Sequence, residues 1–243
     1  MLWEPRVRDQ GEYMVTGVDR IVIAVPQLEC AVAEYQLLLG CEPLPAVANP
    51  TAPTGCCFDL NNTLVELIPR GDAARIAGLV FALAAADAPP AVLANGRGLD
   101  LRLAGDSATA ARRAGGAPAG MCVDHLVLRT ADAGACIDLF AGELGIRLAL
   151  DRDVPQWGGR MLFFRTGKLT LEVIEPVADK PSRDAFWGIA YRCYDLELTR
   201  RQLTGRGVAV SAIRQGRKPG TRVMTVKSHC LDIPTLLLEA VPT

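Results

Sequence analysis

Short apolar segments interrupted by polar turns run along most of the chain, and the first of them, Arg20–Val25, has the composition of a β-strand. After Pro26 the apolar residues fall at steps of three and four, which predicts a helix over Leu28–Leu39 that ends at Gly40. Three more strands are predicted, at Cys41–Val47, Cys56–Leu60 and Thr63–Pro69. The first part of the chain therefore has the order β-α-β-β-β.

This pattern is repeated later in the chain. Val18–Ile23 recurs as Val123–Leu128, and Leu64–Ile68 recurs as Thr170–Ile174, both about 105 residues further on. Segments that recur in the same order at nearly one spacing indicate a duplication. The predicted division is a tail at 1–16, a first half at 17–106, an Ala/Gly/Arg-rich linker at 107–121 and a second half at 122–243.

Each half divides again. The third unit is predicted to have a strand at 123–130, a helix at 132–144 and strands at 146–152, 160–166 and 169–175. The fourth is predicted to have a strand at Phe186–Cys193, a helix at Leu196–Leu203 and strands at 208–213, 221–227 and 235–241. The second is abbreviated to a strand at Gly78–Leu83, a short helix at Ala91–Ala94 and one or two strands. Two Gly-Arg-Gly segments, at 96–98 and 205–207, are interpreted as helix C-caps. We expect an α+β fold of four βαβββ modules, the second abbreviated, that form paired curled mixed sheets.

Composition and charge restrict the function. The 243 residues are 50% hydrophobic and carry a net charge of −1, which gives no general field for nucleic acid or for an anionic membrane. No apolar run reaches the length of a membrane helix, and the first 17 residues lack a signal sequence, so a cytoplasmic protein is expected. The eight cysteines include no Cys-x-x-Cys pair and are interpreted as free, mostly buried thiols.

Charged residues in the middle of apolar strands suggest where a site lies. Residues alternate faces along a strand, so His125 shares a face with Val127 and Arg129. Three carboxylates, Glu66, Glu172 and Glu239, stand in the middle of closing strands. Burial of such groups is costly unless they are paired, hydrated or bound to a metal, which predicts a polar concave face.

The order of these segments, with Asp124-His125 in one opening strand and Leu171-Glu172 in the following closing strand, resembles the vicinal oxygen chelate superfamily. That superfamily includes glyoxalase I, extradiol dioxygenases, 4-hydroxyphenylpyruvate dioxygenase and bleomycin-resistance proteins. The resemblance covers residues 17–242. It implies sheets that curl into a cup, with metal ligands from the first and fourth strands of each module.

The resemblance implies a divalent metal, Fe, Mn, Zn or Ni, held in the second half by His125, Glu172 and Glu239. His125 and Glu239 would then be catalytic, in a dioxygenase, lyase or isomerase that acts on a substrate with vicinal oxygens. The opening position of the fourth unit, about Gly188, offers no side chain, and that of the second unit is about Val80. In the first half Arg20 stands in place of the histidine, and we expect it to form an ion pair with Glu66.

A metal-free protein that binds or sequesters a small molecule, as bleomycin-resistance proteins do, is the alternative. In it Glu172 and Glu239 would be polar partners of Arg129 and Arg192. The ligand would contact the substrate-binding candidates Arg129, Trp157, Arg192 and His229. A homodimer is expected if the abbreviated module leaves a sheet edge uncovered.

Overall fold

The structure is a computed structural model that describes residues 14–45, 55–85, 91–105 and 120–240. Each half forms one mixed sheet in which two modules lie side by side. In both sheets the opening strands of the two modules are antiparallel neighbours at the centre. The predicted α+β fold with duplicated modules is thereby confirmed. Most of the predicted tail and linker lies outside the described residues.

The first half forms a seven-stranded sheet. Its elements are β1 (Val15–Val25), α1 (Leu28–Leu39), β2 (Leu44–Pro45), β3 (Cys56–Asp59), β4 (Leu64–Pro69), β5 (Arg75–Leu83), β6 (Ala91–Val92) and β7 (Asp100–Gly105). Their order in the sheet is β2-β3-β4-β1-β5-β7-β6. The predicted helix over Leu28–Leu39 is confirmed, and Gly40 ends it in the left-handed conformation with φ of 68°.

The second half forms an eight-stranded sheet. Its elements are β8 (Met121–Arg129), α2 (Ala133–Ile137, continued to Glu143 by a wider π-type turn), β9 (Arg147–Val154), β10 (Gly159–Thr166), β11 (Leu169–Pro176), β12 (Ala185–Cys193), α3 (Leu196–Gly205), β13 (Arg214–Gln215), β14 (Thr221–Val226) and β15 (Thr235–Ala240). Their order in the sheet is β13-β14-β15-β12-β8-β11-β10-β9.

Three local predictions were wrong. The helix expected at Ala91–Ala94 is β6, because this apolar segment pairs with β7 and the Leu93 amide donates to the Leu101 carbonyl. Gly96-Arg97-Gly98 consequently caps no helix and forms a turn with Arg97 at φ of 53°. The strand expected at 208–213 is largely irregular. The Thr225 amide donates its hydrogen bond to the Ser211 hydroxyl, whereas in a regular ladder it would donate to a backbone carbonyl.

One continuous apolar core joins the two sheets. It contains one face of each sheet together with residues of all three helices, for example Tyr35 of α1, Cys136 of α2 and Leu203 of α3. On the opposite faces, the described residues form small apolar clusters around Val22 in the first sheet and Ala190 in the second. We call the core side of each sheet its helix face and the opposite side its site face.

Polar contacts also connect the halves. The Asn62 side chain exchanges hydrogen bonds with the backbone of Val123, at 2.7 and 3.1 Å. The Arg97 guanidinium forms an ion pair with the buried Asp184 carboxylate. All eight cysteines are free thiols, as predicted. Within the described ranges, no helix is long and apolar enough to cross a membrane.

Candidate functional site

A β-bulge brings two consecutive side chains to the site face of the second sheet. Ala190 pairs with His125, but the next residue of β12, Tyr191, pairs with Val123, so Asp124 is an extra residue in β8. Such a bulge turns both of its residues to similar directions. Asp124 and His125 therefore lie on the same face, although neighbours in a regular strand would point apart.

Three polar side chains meet on the site face of the second sheet. The Asp124 Oδ2 lies 2.9 Å from His125 Nδ1, within hydrogen-bond distance. On the other side of the ring, His125 Nε2 lies 3.7 Å from Oε2 of Glu172, which comes from β11. The side chains of His125 and Glu172 are 20% and 15% exposed. The imidazole thus has one side fixed and the other facing a largely buried carboxyl group.

The surroundings shift the pKa values of both carboxyl groups. Burial raises the pKa of Glu172 above its usual range, against opposing effects of the charges of His125 and Arg217. Burial alone would also raise the pKa of Asp124. The hydrogen bond and charge of His125, together with Arg192 and Lys218, outweigh it, so the Asp124 pKa is lowered. Asp124 is therefore kept ionised, whereas Glu172 holds its proton more tightly.

Glu239 does not join this group. In β15 Leu237 packs in the main core and Leu238 packs with Ala190 on the site face, so by alternation Glu239 points to the helix face. Its Oε2 accepts the Leu196 amide at the start of α3, at 3.1 Å, and contacts the Arg222 guanidinium at 2.7 Å. The structure thus separates Glu239 from His125 and Glu172, and the predicted ligand set is wrong in this residue.

The strand register explains this error. Val127 pairs with Glu172 in the third module, and the corresponding pair in the fourth module is Ala190 with Leu236. Leu236 therefore occupies the closing-strand position that was assigned to Glu239. The opening position does hold Gly188, where a Cβ atom would lie 2.7 Å from the Pro234 carbonyl oxygen.

The same register corrects the first half. Gly188 pairs with Val127, and Gly78 pairs with the equivalent Val22, so the opening position of the second module is Gly78 and not Val80. A Cβ atom on Gly78 would lie 2.0 Å from the Asp100 carbonyl oxygen. The second and fourth modules therefore have no room for a ligating side chain at this position.

The predicted ion pair in the first half is present. Arg20 Nε donates to Glu66 Oε2 at 2.9 Å, and Arg20 Nη1 contacts Asp19 Oδ2 at 2.7 Å. Asp19 is the extra residue of a bulge in β1, as Asp124 is in β8. The first half thus repeats the geometry of the second with a guanidinium in place of the imidazole.

The four substrate-binding candidates are dispersed. Arg192 lies on the site face beside Cys122, and Arg129 lies about 20 Å further along β8, where it donates to the Asp179 carbonyl oxygen. Neither arginine pairs with Glu239. His229 contacts Ser228 within its own connection between β14 and β15, at 2.8 Å. Trp157 ends a short turn at Pro155–Trp157, and its side chain is outside the described part of the structure.

Besides Asp124, sequence reasoning missed three residues near the site. Arg217 and Lys218 lie in the turn before β14, and their charges reach Glu172 and Asp124, respectively. Trp187 is the extra residue of the bulge next to Gly188 and is 50% exposed. No periodic pattern marks a short turn or a bulge, although the basic pair inside Gly216–Gly220 was a visible signal.

These residues do not fit the three-ligand metal site predicted from the resemblance. Only His125 and Glu172 have donor atoms at the expected positions, while Gly188 and Leu236 offer none and Glu239 faces away. Across the described residues, no group of three or more His, Cys, Asp or Glu side chains is placed to hold a metal ion.

Residues 124–225 match the model of the Glyoxalase/Bleomycin resistance protein/Dioxygenase superfamily. The predicted resemblance to vicinal oxygen chelate proteins is thereby confirmed, and it extends over most of the second half. No curated protein sequence is significantly similar to the chain.

Two solved structures align over nearly the whole chain. One is a mutant of 4-hydroxymandelate synthase from Streptomyces coelicolor, with 14% identity, 94% of each chain covered and a TM-score of 0.67. The other is the Mn(II)-bound glyoxalase from Novosphingobium aromaticivorans, with 15% identity, 95% of this chain and 84% of that chain covered, and a TM-score of 0.63. At these identities the likeness shows the fold.

Proposed function

Because residues 124–225 match that superfamily, we propose that the second half binds a small oxygen-rich molecule on its site face and catalyses a proton transfer there. The observation that supports this most directly is the convergence of His125 Nε2 and the buried Glu172 Oε2, 3.7 Å apart. This proposal favours isomerase or lyase chemistry over dioxygenase chemistry.

Each of the three polar residues has a role in this proposal. Asp124 binds Nδ1 and fixes the orientation of the ring, which leaves Nε2 directed at Glu172. The 3.7 Å between Nε2 and Oε2 exceeds a hydrogen bond, so neither atom is occupied by the other and both can contact one bound substrate. A carboxyl group with a raised pKa is a stronger base once ionised, which suits Glu172 to remove a proton from carbon next to a carbonyl group.

The metal-dependent enzyme predicted from the sequence receives less support. It requires a third protein ligand, and Glu239 binds the start of α3 instead. We therefore assign no step to Fe, Mn, Zn or Ni. The Mn(II) of the glyoxalase belongs to that protein, and metal content is part of the test below.

The test is proton exchange in D2O. A panel of small 2-hydroxy ketones and 2-oxo acids is incubated with protein purified without a metal-binding tag, and loss of the α-proton signal is followed by ¹H NMR. We expect exchange with wild type and at least a hundredfold slower exchange with Glu172→Gln. Glu175→Gln is the matched control, because Glu175 lies on the same strand but contacts Lys180 and the Ala133 amide.

Metal analysis of the same samples completes the test. Exchange by a protein with less than one-tenth equivalent of Fe, Mn, Zn and Ni supports the proposal. A stoichiometric metal that is lost in His125→Ala, together with metal-dependent exchange, would contradict it and restore the metal-dependent enzyme.

A metal-free protein that only binds or sequesters its ligand is the second candidate. The lost ligand positions at Gly188 and Leu236 favour it, since they remove chemistry while leaving a face lined by polar groups. Saturable binding without exchange by any member of the panel would favour this alternative. The cytoplasmic location and the homodimer stay predictions.

A further inference from the structure

The turn between β13 and β14 is held in a fixed shape. The Gly216 amide donates to the Thr221 carbonyl at 2.8 Å, and the Thr221 hydroxyl donates to the Lys218 carbonyl at 2.6 Å. Gly220 has φ of 73°, and a Cβ atom on Gly216 would lie 2.1 Å from the Thr221 hydroxyl. The backbone of this turn is thus ordered before any ligand arrives, which reduces the entropy cost of binding.

The turn presents two cations that lack close partners. Arg217 and Lys218 are exposed, and among the described residues no carboxylate lies within ion-pair distance of either. Other arginines on the site face have partners, for example Arg165 with Thr170 and Arg192 with Cys122. An arginine and a lysine side by side without a counter-ion are suited to bind an anion.

The sheet register places this turn at the same end of the sheet as Asp124, three strands along from β8. Thr221 pairs with Ala240, two residues beyond Leu238, which pairs with Arg192 on β12. The turn therefore extends from the end of the sheet where Arg192 and Cys122 pair, near Asp124. From this end, Arg217 acts on Glu172 and Lys218 acts on Asp124 through longer-range charge interactions.

We infer that Arg217 and Lys218 bind an acidic group of the ligand, a carboxylate or a phosphate, and hold the rest of the ligand against His125 and Glu172. The inference rests on the proposed function and specifies its substrate class as anionic. The Arg217 guanidinium offers paired donors to two oxygens, and Lys218 adds a second positive charge. Glu172 and Asp124 repel an anion placed directly on them, so the acidic group is directed to the turn.

The test uses the two histidines of the chain as reporters. Long-range ¹H–¹⁵N NMR spectra of the imidazole rings are recorded while malonate or inorganic phosphate is added, with His229→Asn used to assign the signals. We expect the chemical shifts of the His125 signals to change saturably with anion concentration. In the double variant Arg217→Gln/Lys218→Gln the Kd should be at least tenfold higher. Arg214→Gln is the control, because Arg214 is an exposed arginine of the same hairpin, and its Kd should change less than twofold.

The outcomes separate this inference from the proposed function. Binding of malonate alone, of phosphate alone or of both supports the inference and identifies the acidic group. Saturable shifts from neither anion, or an unchanged Kd in the double variant, overturn it. Glu172→Gln should bind the anion at least as tightly as wild type because a repelling charge is removed, whereas the same variant should lose proton exchange.

Discussion

The ion pair between Arg97 and Asp184 offers a quantitative test of how the two halves are held together. Arg97 stands in a turn of the first half, and Asp184 precedes β12 in the second. The Asp184 side chain is 4% exposed, and its Oδ1 also accepts the Thr130 hydroxyl at 2.7 Å. The substitution Arg97→Met keeps most of the side-chain stem but leaves a buried carboxylate without its cation.

The expected loss of stability follows from this burial. Removing one partner of a fully buried ion pair costs about 3–5 kcal/mol. Arg97 itself is 27% exposed, so water compensates in part and about 2–3 kcal/mol is expected. For a chain of this size, that loss corresponds to a decrease in Tm of about 5–10 °C.

Differential scanning calorimetry at pH 7 measures this decrease, and Arg160→Met is the matched control. Arg160 and Asp151 form the same kind of pair at 2.7 Å, but their side chains are 35% and 37% exposed. Loss of an exposed pair costs about 0–1 kcal/mol, so the control should lose no more than about 3 °C. Equal decreases in the two variants would refute the argument from burial. Because one core joins both sheets, we also expect a single transition.

Two further predictions concern the carboxylates. Burial raises the pKa of Glu172 in the folded state, so its contribution to stability is fully present below the usual glutamate pKa and is lost as pH rises through the folded value. The Tm of Glu172→Gln relative to wild type should therefore increase as the pH rises above about 4, and a constant difference would contradict the role of burial. Glu239→Ala removes the acceptor for the Leu196 amide at the start of α3 and should lower stability by about 0.5–2 kcal/mol, measured by urea unfolding. The same variant should bind malonate as wild type does. A loss of binding with an intact fold would show that Glu239 belongs to the site.

The sequence was informative where apolar spacing or duplication carried the signal. The repeat of Val18–Ile23 at Val123–Leu128 predicted the duplication, and the three- and four-residue steps predicted α1 at its observed bounds. The resemblance implied that His125 and Glu172 belong to one site, and the structure gives the reason, because their strands are parallel neighbours. The pair of Arg20 and Glu66 was expected at the corresponding positions of the first half, and it is present.

Register and bulges could not be obtained in the same way. Glu239 stands in a leucine-rich strand much as Glu172 does, and only the pairing of Leu236 with Ala190 shows that it is displaced by three positions. An odd displacement along a strand moves a side chain to the opposite face. The bulge at Asp124 has the reverse effect and brings two consecutive residues, Asp124 and His125, onto the same face.

Gly78 and Gly188 have a common consequence for how this protein can change during evolution. At each of them a carbonyl oxygen of a neighbouring segment occupies the space of the missing side chain. In a point mutant with histidine or glutamate at either position, the new Cβ atom would clash with this carbonyl oxygen, so the side chain could not bring its donor atom to the site. New specificities in this lineage should therefore arise by replacement of Arg217, Lys218 and Trp187 at the periphery, while the central strands stay unchanged.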